Sequence, residues 1–341
     1  MNSVDRFFWE GYWHLLCHRS EVSKPRDFLR LKGFGQEIVA FHDGKNIVVF
    51  DNLCPHRGAL IFDDDAGNKP FLCPYHNWSY SNGRVFIADS KQFAHCEHPK
   101  PDLNKYETAW VGDFLFFAIK PLKSVEEQLG DAGPMVHSIS TSVAARHDFS
   151  SYKYGAVWQI SIENALEPYH VSTIHPDSLA KLQLTSGRNE FFGSNSVWFT
   201  EVGDRRTVKQ LTKLLKLFTL DYLHEGYFNL HLFPFSMISS TFGMSYSVQN
   251  FFPASENGMT AFASRLYQSK LANPSKATIV APLMNSTAQL NRQVFTEDNI
   301  ICQRLPASSW TMAAPAYYAI PDEERLFYFR ERFRSEISAI D

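Results

Sequence analysis

The stretch that decides the fold is Cys54-Pro55-His56-Arg57-Gly58, answered by Cys73-Pro74-Tyr75-His76 after the sixteen residues that separate His56 from Cys73. Each half supplies one thiol and one imidazole, and Pro55 and Pro74 stiffen the backbone so that both ligand side chains project to one side. Two such loops can face a shared metal centre. Arg57-Gly58 tightens the first loop, Trp78 and Tyr80 stand where they can shield the centre, and Asn82-Gly83 turns the chain back.

Outward from this pair the texture is β. Short apolar runs, Ile38 with Ala40 and Ile47 to Phe50, flank the turn signal Asp43-Gly44 as in a hairpin. Gly112-Asp113 is a further turn signal, and the β texture continues to about Ile119, where Pro121 breaks it. After a loop-like segment at 130–134, strand runs (Tyr152 to Ile162, Ser236 to Phe252, Thr260 to Tyr267) mix with helical patterns. Thr207 to Leu223 reads as an amphipathic helix with Leu211, Leu214, Leu215 and Phe218 on one face and Lys209, Lys213 and Lys216 on another, a solvated surface helix rather than a docking face.

The chain has 341 residues, 44% hydrophobic and 20% charged, a soluble globular composition long enough for two domains. A net charge of -3 leaves no basic footprint, so nucleic acid is not an expected partner. Met1 to Glu10 lacks the pattern of a secretion signal, and the most apolar stretch, Phe114 to Ile119, is far short of the roughly 20 residues that span a bilayer. Five cysteines, an odd number, do not suggest a disulfide scaffold. A cytoplasmic protein with metal-bound thiolates is the expectation.

Two cysteines and two histidines satisfy tetrahedral zinc, but zinc sites of that count usually pair cysteine with cysteine and histidine with histidine. Here each half is mixed, as suits a Rieske [2Fe–2S] centre, where two cysteines hold one iron and two histidines the other. Zinc remains the competing occupant. Cys96-Glu97-His98-Pro99 imitates the first half, and Cys17-His18 is similar in type, but neither has a second half at a suitable distance; Cys302 reads as a buried core cysteine.

A second constellation lies in Glu163-Asn-Ala-Leu-Glu167-Pro-Tyr-His170-Val-Ser-Thr-Ile-His175-Pro. Asn164, Glu167 and His170, three apart, share a face if the segment is helical. His175 would then stand roughly 140° from His170, so one metal can take both only if the helix distorts or ends between them. Two histidines and one carboxylate make the facial triad of non-haem iron oxygenases. The carboxylate chosen is Asp298, set on the apolar stripe Val294, Ile301, Cys302 and Leu305, because a core-facing carboxylate needs a partner or a metal; Glu297 is the second choice. The bland reading makes both histidines ordinary core residues.

Cys-Pro-His-Arg-Gly, Cys-Pro-Tyr-His-x-Trp and the Asn164/Glu167/His170/His175 run resemble the Rieske non-haem iron oxygenases, specifically their catalytic (alpha) subunits. The departures are Asn77, where the family often has glycine, Ser79 near a common threonine, and Glu167, where most members have aspartate. The resemblance implies an α+β chain with an N-terminal all-β Rieske domain at 37–119 and a catalytic domain at 120–341 built on an antiparallel sheet flanked by helices. The segment 1–36 is expected to pack with the catalytic domain. It implies Cys54, His56, Cys73 and His76 as cluster ligands, His170, His175 and Asp298 as ligands of mononuclear Fe(II), and Glu167 as the carboxylate that links His170 to His76 of a neighbouring subunit in a head-to-tail homotrimer.

The implied activity is reductive activation of O2 with electrons from NAD(P)H through a separate reductase or ferredoxin, since no Gly-x-Gly-x-x-Gly fingerprint occurs. Chain length points to hydroxylation or oxidative demethylation of a small organic substrate, with aromatic cis-dihydroxylation as the alternative and a non-catalytic Rieske carrier as a lesser one. Glutamate at the position of Glu167 also occurs in members acting on quaternary ammonium compounds, which hints at an amine or quaternary ammonium substrate. Pocket candidates are Phe233, Phe235, Phe242, Phe251 and Trp198, with the core the more natural place for them.

Overall fold

In the computed structural model, which describes residues 3–96, 101–185, 187–254, 258–313 and 315–338, each of these turn signals closes an antiparallel hairpin. Gln36–His42 returns as Ile47–Asp51. Asp43 holds that turn: its Oδ1 accepts from the Lys45 and Asn46 N–H groups, both at 2.8 Å, and its Oδ2 from Gly83 N–H at 2.7 Å. Asn82-Gly83 joins Ser79–Ser81 to Arg84–Phe86 with φ of 50° and 82°, the left-handed pair that a two-residue type I′ turn requires. Gly112 joins Glu107–Val111 to Phe114–Ala118; a Cβ there would lie 2.1 Å from Ser140 Oγ, which instead accepts Asp113 N–H at 2.8 Å.

The N-terminal part is all β. A four-stranded sheet runs Ile47–Asp51, Gln36–His42, Asp27–Gly33, Ala66–Asn68, and beside it lies the three-stranded sheet Phe71–Leu72, Ser79–Ser81, Arg84–Phe86. Between them Phe28, Phe41, Phe50, Phe62 and Phe71 form a small aromatic core that Cys54, Cys73 and Trp78 join. The segment expected at 1–36 does not go as one piece. Helix Ser3–Gly11 sets Phe8 against Trp158, Phe233 and Phe333, and His14–His18 joins Phe114–Ala118. Asp27–Gly33, however, pairs with Gln36–His42, so a boundary at 36/37 cuts a hairpin beside its turn.

The C-terminal part is a fully antiparallel seven-stranded sheet, in order Val143–Tyr154, Thr260–Ser269, Ser245–Pro253, Ser236–Thr241, Tyr227–Leu232, Asn195–Thr200, Arg188–Phe192. The helix Ala277–Cys302 packs on it, with Phe295 4.8 Å from Phe262 and its carbonyl accepting from Tyr154 Oη at 2.8 Å.

Three local expectations need correction. The strand read from Tyr152 to Ile162 stops at Tyr154, and Trp158–Leu166 is a helix; its alternating apolar residues also fit a helix buried on most sides, so period alone misleads. The loop-like 130–134 is a helical turn running into helix Gly133–Ser142, with Pro134 in the first turn where its missing N–H costs nothing. The amphipathic helix spans Arg205–Leu215, begun by Asp204, whose carboxylate accepts Thr207 N–H at 2.9 Å; Phe218 lies past its end. Its leucines pack against Met244, Val280 and Met284, and Lys209, Lys213 and Lys216 are exposed.

Two of the buried histidines, His14 and His231, are each 1% exposed. His14 donates from Nε2 to the Trp9 carbonyl at 2.8 Å and His231 to the Pro234 carbonyl at 3.3 Å. Burial pushes His14 down to about 4 and, with Arg325 adding to it, His231 to about 3, against an ordinary 6.5. As pH falls below 6.5 the unfolded chain takes up these protons before the folded one, so stability drops between pH 6.5 and 4, by on the order of 3 kcal/mol for His14 alone at the lower end. The urea midpoint measured across this window is expected to fall with acidification; a flat profile contradicts the burial of neutral imidazoles.

Candidate active site and metal centres

The two Cys-His loops share one backbone scheme. Cys54 N–H donates to the Ala59 carbonyl and Gly58 N–H to the Cys54 carbonyl, at 2.8 and 2.9 Å; Cys73 N–H donates to the Trp78 carbonyl and Asn77 N–H to the Cys73 carbonyl, at 2.8 and 3.0 Å. Both closing residues are left-handed, Gly58 at φ 71° and Asn77 at φ 56°. Asparagine is among the few residues other than glycine that tolerate this region, which accounts for Asn77 where glycine is common.

The loops bring their donors together. Cys54 and Cys73 are buried side by side, and the His56 and His76 rings lie 4.7 Å apart. Trp78 stacks on His56 at 4.6 Å, shielding it, and Arg57 reaches Tyr75 Oη at 3.2 Å. His56 Nδ1 is buried and has no partner among the described residues. Two thiols, two imidazoles and an orphaned ring nitrogen fit a [2Fe–2S] centre of the mixed-ligand kind. Of the other cysteines, Cys17 and Cys302 are buried in the core, burial pushing Cys302 up to about 12, and Cys96 is exposed; His98 lies outside the described residues.

The second constellation is assembled differently from the helical reading. Helix Trp158–Leu166 ends before Glu167, which is extended at φ -110° and ψ 135°. Pro168 is the cause, since it disfavours the helical region for the residue before it. Asn164 and His170 are therefore on separate pieces of chain, and His170 precedes the short helix Val171–Ile174, which ends at His175. That ending, with Asp298 arriving from the long helix, brings His170, His175 and Asp298 within 4.8 Å of one another by their ligand atoms. Leu305, counted on the apolar stripe, lies past the helix end and is exposed.

Each imidazole is oriented by a carboxylate. Glu167 accepts from His170 Nδ1 at 2.5 Å and from its backbone N–H at 3.1 Å. Glu297 accepts from His175 Nδ1 at 2.7 Å and is itself held by Ser178 Oγ at 2.6 Å and Gln293 Nε2 at 2.8 Å. With both Nδ1 atoms carrying the proton, the two Nε2 atoms face Asp298 Oδ1, at 3.1 Å for His175 and 3.6 Å for His170, and Asn164 donates to that same oxygen at 2.8 Å. Burial opposes the charged form of His170, but Asp298 and Glu167 outweigh it and hold its pKa up at about 9. Burial likewise opposes ionised Asp298, and the two histidines outweigh it, so its carboxyl lies below the usual range. This nitrogen and oxygen donor set suits a divalent iron. Glu297, the second-choice ligand, turns instead onto the outer nitrogen of His175. Its place one residue before Asp298 was visible in the sequence, but its partner 122 residues away was not.

A narrow cavity of about 70 Å³ lies at the triad, lined also by Trp198, Tyr227, Gln249, Phe295 and Arg325. A second of about 280 Å³ shares Leu179, Tyr227, Gln249, Val294 and Phe295 with it. Of the aromatic candidates only Trp198 lines the triad cavity; Phe233, Phe235 and Phe251 belong to the main core and Phe242 to a smaller one. Arg325 is 1% exposed and spends its donors on Ser196, Leu166 and Asn229.

Removing an orienting carboxylate leaves the ligand in place but free to turn. Glu297→Ala is expected to weaken divalent metal binding about 10–100-fold, read by equilibrium titration, with the fold retained. Asn77→Val is expected to cost about 1–3 kcal/mol by forcing a β-branched residue into the left-handed region, while Asn77→Gly leaves the thermal midpoint unchanged.

Comparison with known proteins follows the same two-part division. Residues 12–100 match the Rieske [2Fe-2S] domain, and residues 142–339 match the ring hydroxylating alpha subunit (catalytic domain). The anthranilate 1,2-dioxygenase large subunit of Acinetobacter baylyi is 28% identical over 186 residues, 51% of this chain and 40% of that protein. The N,N-dimethyl phenylurea N-demethylase subunit alpha of a Sphingobium species is 31% identical over 196 residues, 50% of this chain and 40% of that protein. The match thus spans 40% of the length of each of these relatives. In fold, the quaternary ammonium Rieske monooxygenase CntA superposes with a TM-score of 0.75 at 16% identity, over 97% of this chain and 90% of that one. No helix among the described residues is long and apolar enough to cross a membrane. The catalytic-domain match alone covers more than half of the residues, and with the cluster-loop match before it the chain belongs to the Rieske-type ring-hydroxylating oxygenase alpha subunits.

Proposed function

We propose that this protein is an O2-activating oxygenase whose iron is held by His170, His175 and Asp298 and whose cluster is held by Cys54, His56, Cys73 and His76. The observation that carries the reading is the convergence of two imidazole Nε2 atoms on one carboxylate, each ring fixed from behind by its own glutamate. When bound, the iron supplies open coordination positions for O2 and the cluster supplies single electrons. The chain's own residues do the rest. Glu167 and Glu297 keep each Nδ1 protonated and each Nε2 aimed inward, Asn164 steadies Asp298, and Trp198, Tyr227 and Phe295 restrict water at the triad.

The reaction is hydroxylation or oxidative demethylation of a small organic molecule, a reading supported by the N-demethylase among the relatives. Cis-dihydroxylation is the second reading, favoured by the likeness to the anthranilate dioxygenase subunit. Electrons come from NAD(P)H through a separate reductase or ferredoxin in the cytoplasm. The cluster loops present exposed Leu53, Leu60, Leu72 and Tyr75, 47–57% exposed, around partly exposed His56 and His76. Such a rim fits coverage by a neighbouring subunit in a homotrimer, with Glu167 bridging His170 to His76 of the partner subunit.

Iron and acid-labile sulfide assays on anaerobically purified protein are expected to give about three irons and two sulfides per chain, with a Rieske electron paramagnetic resonance signal on reduction. Zinc without sulfide overturns the reading. His170→Ala is expected to abolish turnover while the cluster spectrum persists. Glu167→Ala is expected to weaken iron binding as Glu297→Ala does and, in protein resaturated with iron, to slow single-turnover electron arrival; an unchanged rate in the iron-saturated variant removes its bridging role.

A further inference from the structure

The larger cavity has a chemistry that the oxygenase reading does not by itself require. It lies between one face of the seven-stranded sheet and the helix Ala277–Cys302. Strand register builds its floor: Ser239 stands opposite Ser247, and Gln249 lies two residues along from Ser247 on the same face. A row of short polar side chains therefore crosses the sheet beneath the cavity. The opposite wall, from the long helix, is mainly apolar, with Leu283, Met284, Leu290, Val294 and Phe295 beside Ser286, Thr287 and Asn291, and Leu179, Leu182 and Leu211 add further apolar surface.

Among the described residues none of those lining this cavity is Asp, Glu, Lys, Arg or His. The charged groups of the adjoining triad cavity are committed to one another or, for Arg325, to oxygens of Ser196, Leu166 and Asn229. A charged ligand would shed its hydration here and meet no counter-charge, and two rings, Tyr227 and Phe295, do not make the aromatic cage that a quaternary ammonium needs. Of the buried polar side chains that line it, Ser239, Ser240, Ser247 and Gln249, one has an oxygen without a partner. Gln249 is 7% exposed and donates from Nε2 to Ser239 Oγ at 3.4 Å and Ser247 Oγ at 3.3 Å, while its Oε1 accepts from no donor among the described residues. Gln249 also lines both cavities, so a group bound to it lies beside the triad.

Resting on the oxygenase reading, we propose that the substrate is an uncharged, largely apolar molecule carrying one N–H or O–H group, which donates to the Gln249 amide oxygen while the body of the molecule lies against the leucine and methionine wall. Carboxylates and quaternary ammonium compounds are rejected by desolvation, not by size.

The test uses three probes built on one 4-methylphenyl ring and differing in charge, 4-methylbenzamide, 4-methylbenzoate and (4-methylphenyl)trimethylammonium, with 4-tert-butyltoluene as the uncharged match in size for the ammonium, titrated calorimetrically into the anaerobic protein with its iron and sulfide intact; exclusion of 4-tert-butyltoluene as well shows that size, not charge, rejects the ammonium and overturns that part of the proposal. The amide is expected to bind at least about tenfold more tightly than either ion. Equal affinities, preference for an ion, or no binding of any probe overturns the proposal. Gln249→Leu is expected to weaken the amide but spare p-xylene, which has no polar group; equal losses for both overturn the role of Gln249. Gln249→Glu is expected to shift preference to the trimethylammonium probe, and Ser247→Asp makes the same switch should the Gln249 variants fail to fold. Binding preference is read without turnover, and the metal and sulfide content of the same preparation tests the oxygenase reading separately.

Discussion

A carboxylate held inside a protein must be compensated, and Asp298, with 14% of its side chain exposed, meets that requirement by tying together three separate parts of the chain. The long helix brings the oxygen, helix Trp158–Leu166 brings the Asn164 amide that donates to it, and the loop beyond Pro168 brings the two imidazoles. The helix alone would present an unpaired charge to the sheet, and the two imidazoles, which meet edge-on at 5.2 Å, would lack the carboxylate both face. The triad is thus a packing contact and a donor set at once.

The same economy runs outward to the glutamates. Each imidazole has two nitrogens with opposite duties, and a carboxylate on the outer one settles which carries the proton. Glu167 does this from the adjacent loop and Glu297 from the long helix, so His175 is gripped from two successive positions of one helix, through Nδ1 by Glu297 and through Nε2 by Asp298. Rotation of that helix would displace both contacts together.

Legibility in the sequence followed how local each feature is. The cluster loops were readable because four ligands and two prolines fall within 23 consecutive residues, 54–76. The hairpins were readable because Asp43-Gly44, Asn82-Gly83 and Gly112-Asp113 require backbone angles that few other pairs adopt. Asp298 was found through its place on an apolar stripe, even though Leu305 did not belong to it. The helix over Trp158–Leu166 was misread because its apolar spacing serves two periods, and the face shared by Asn164, Glu167 and His170 dissolved because Pro168 outweighed a three-residue spacing. The partner of Glu297 and the polar row under the cavity could not be read at all, since both depend on which strand or loop lies opposite, a tertiary fact.

The twin backbone scheme of the cluster loops has a consequence for how the centre is made. Each loop closes on itself through bonds between residues four and five apart, so the entropy of closing it is small and does not depend on the rest of the fold. Two half-sites can therefore form early, each already offering one thiol and one imidazole on a shaped backbone. Assembly of the centre then reduces to bringing two finished halves together through the segment 60–72 that joins them, with its strands Ala66–Asn68 and Phe71–Leu72, instead of gathering four ligands from a disordered chain.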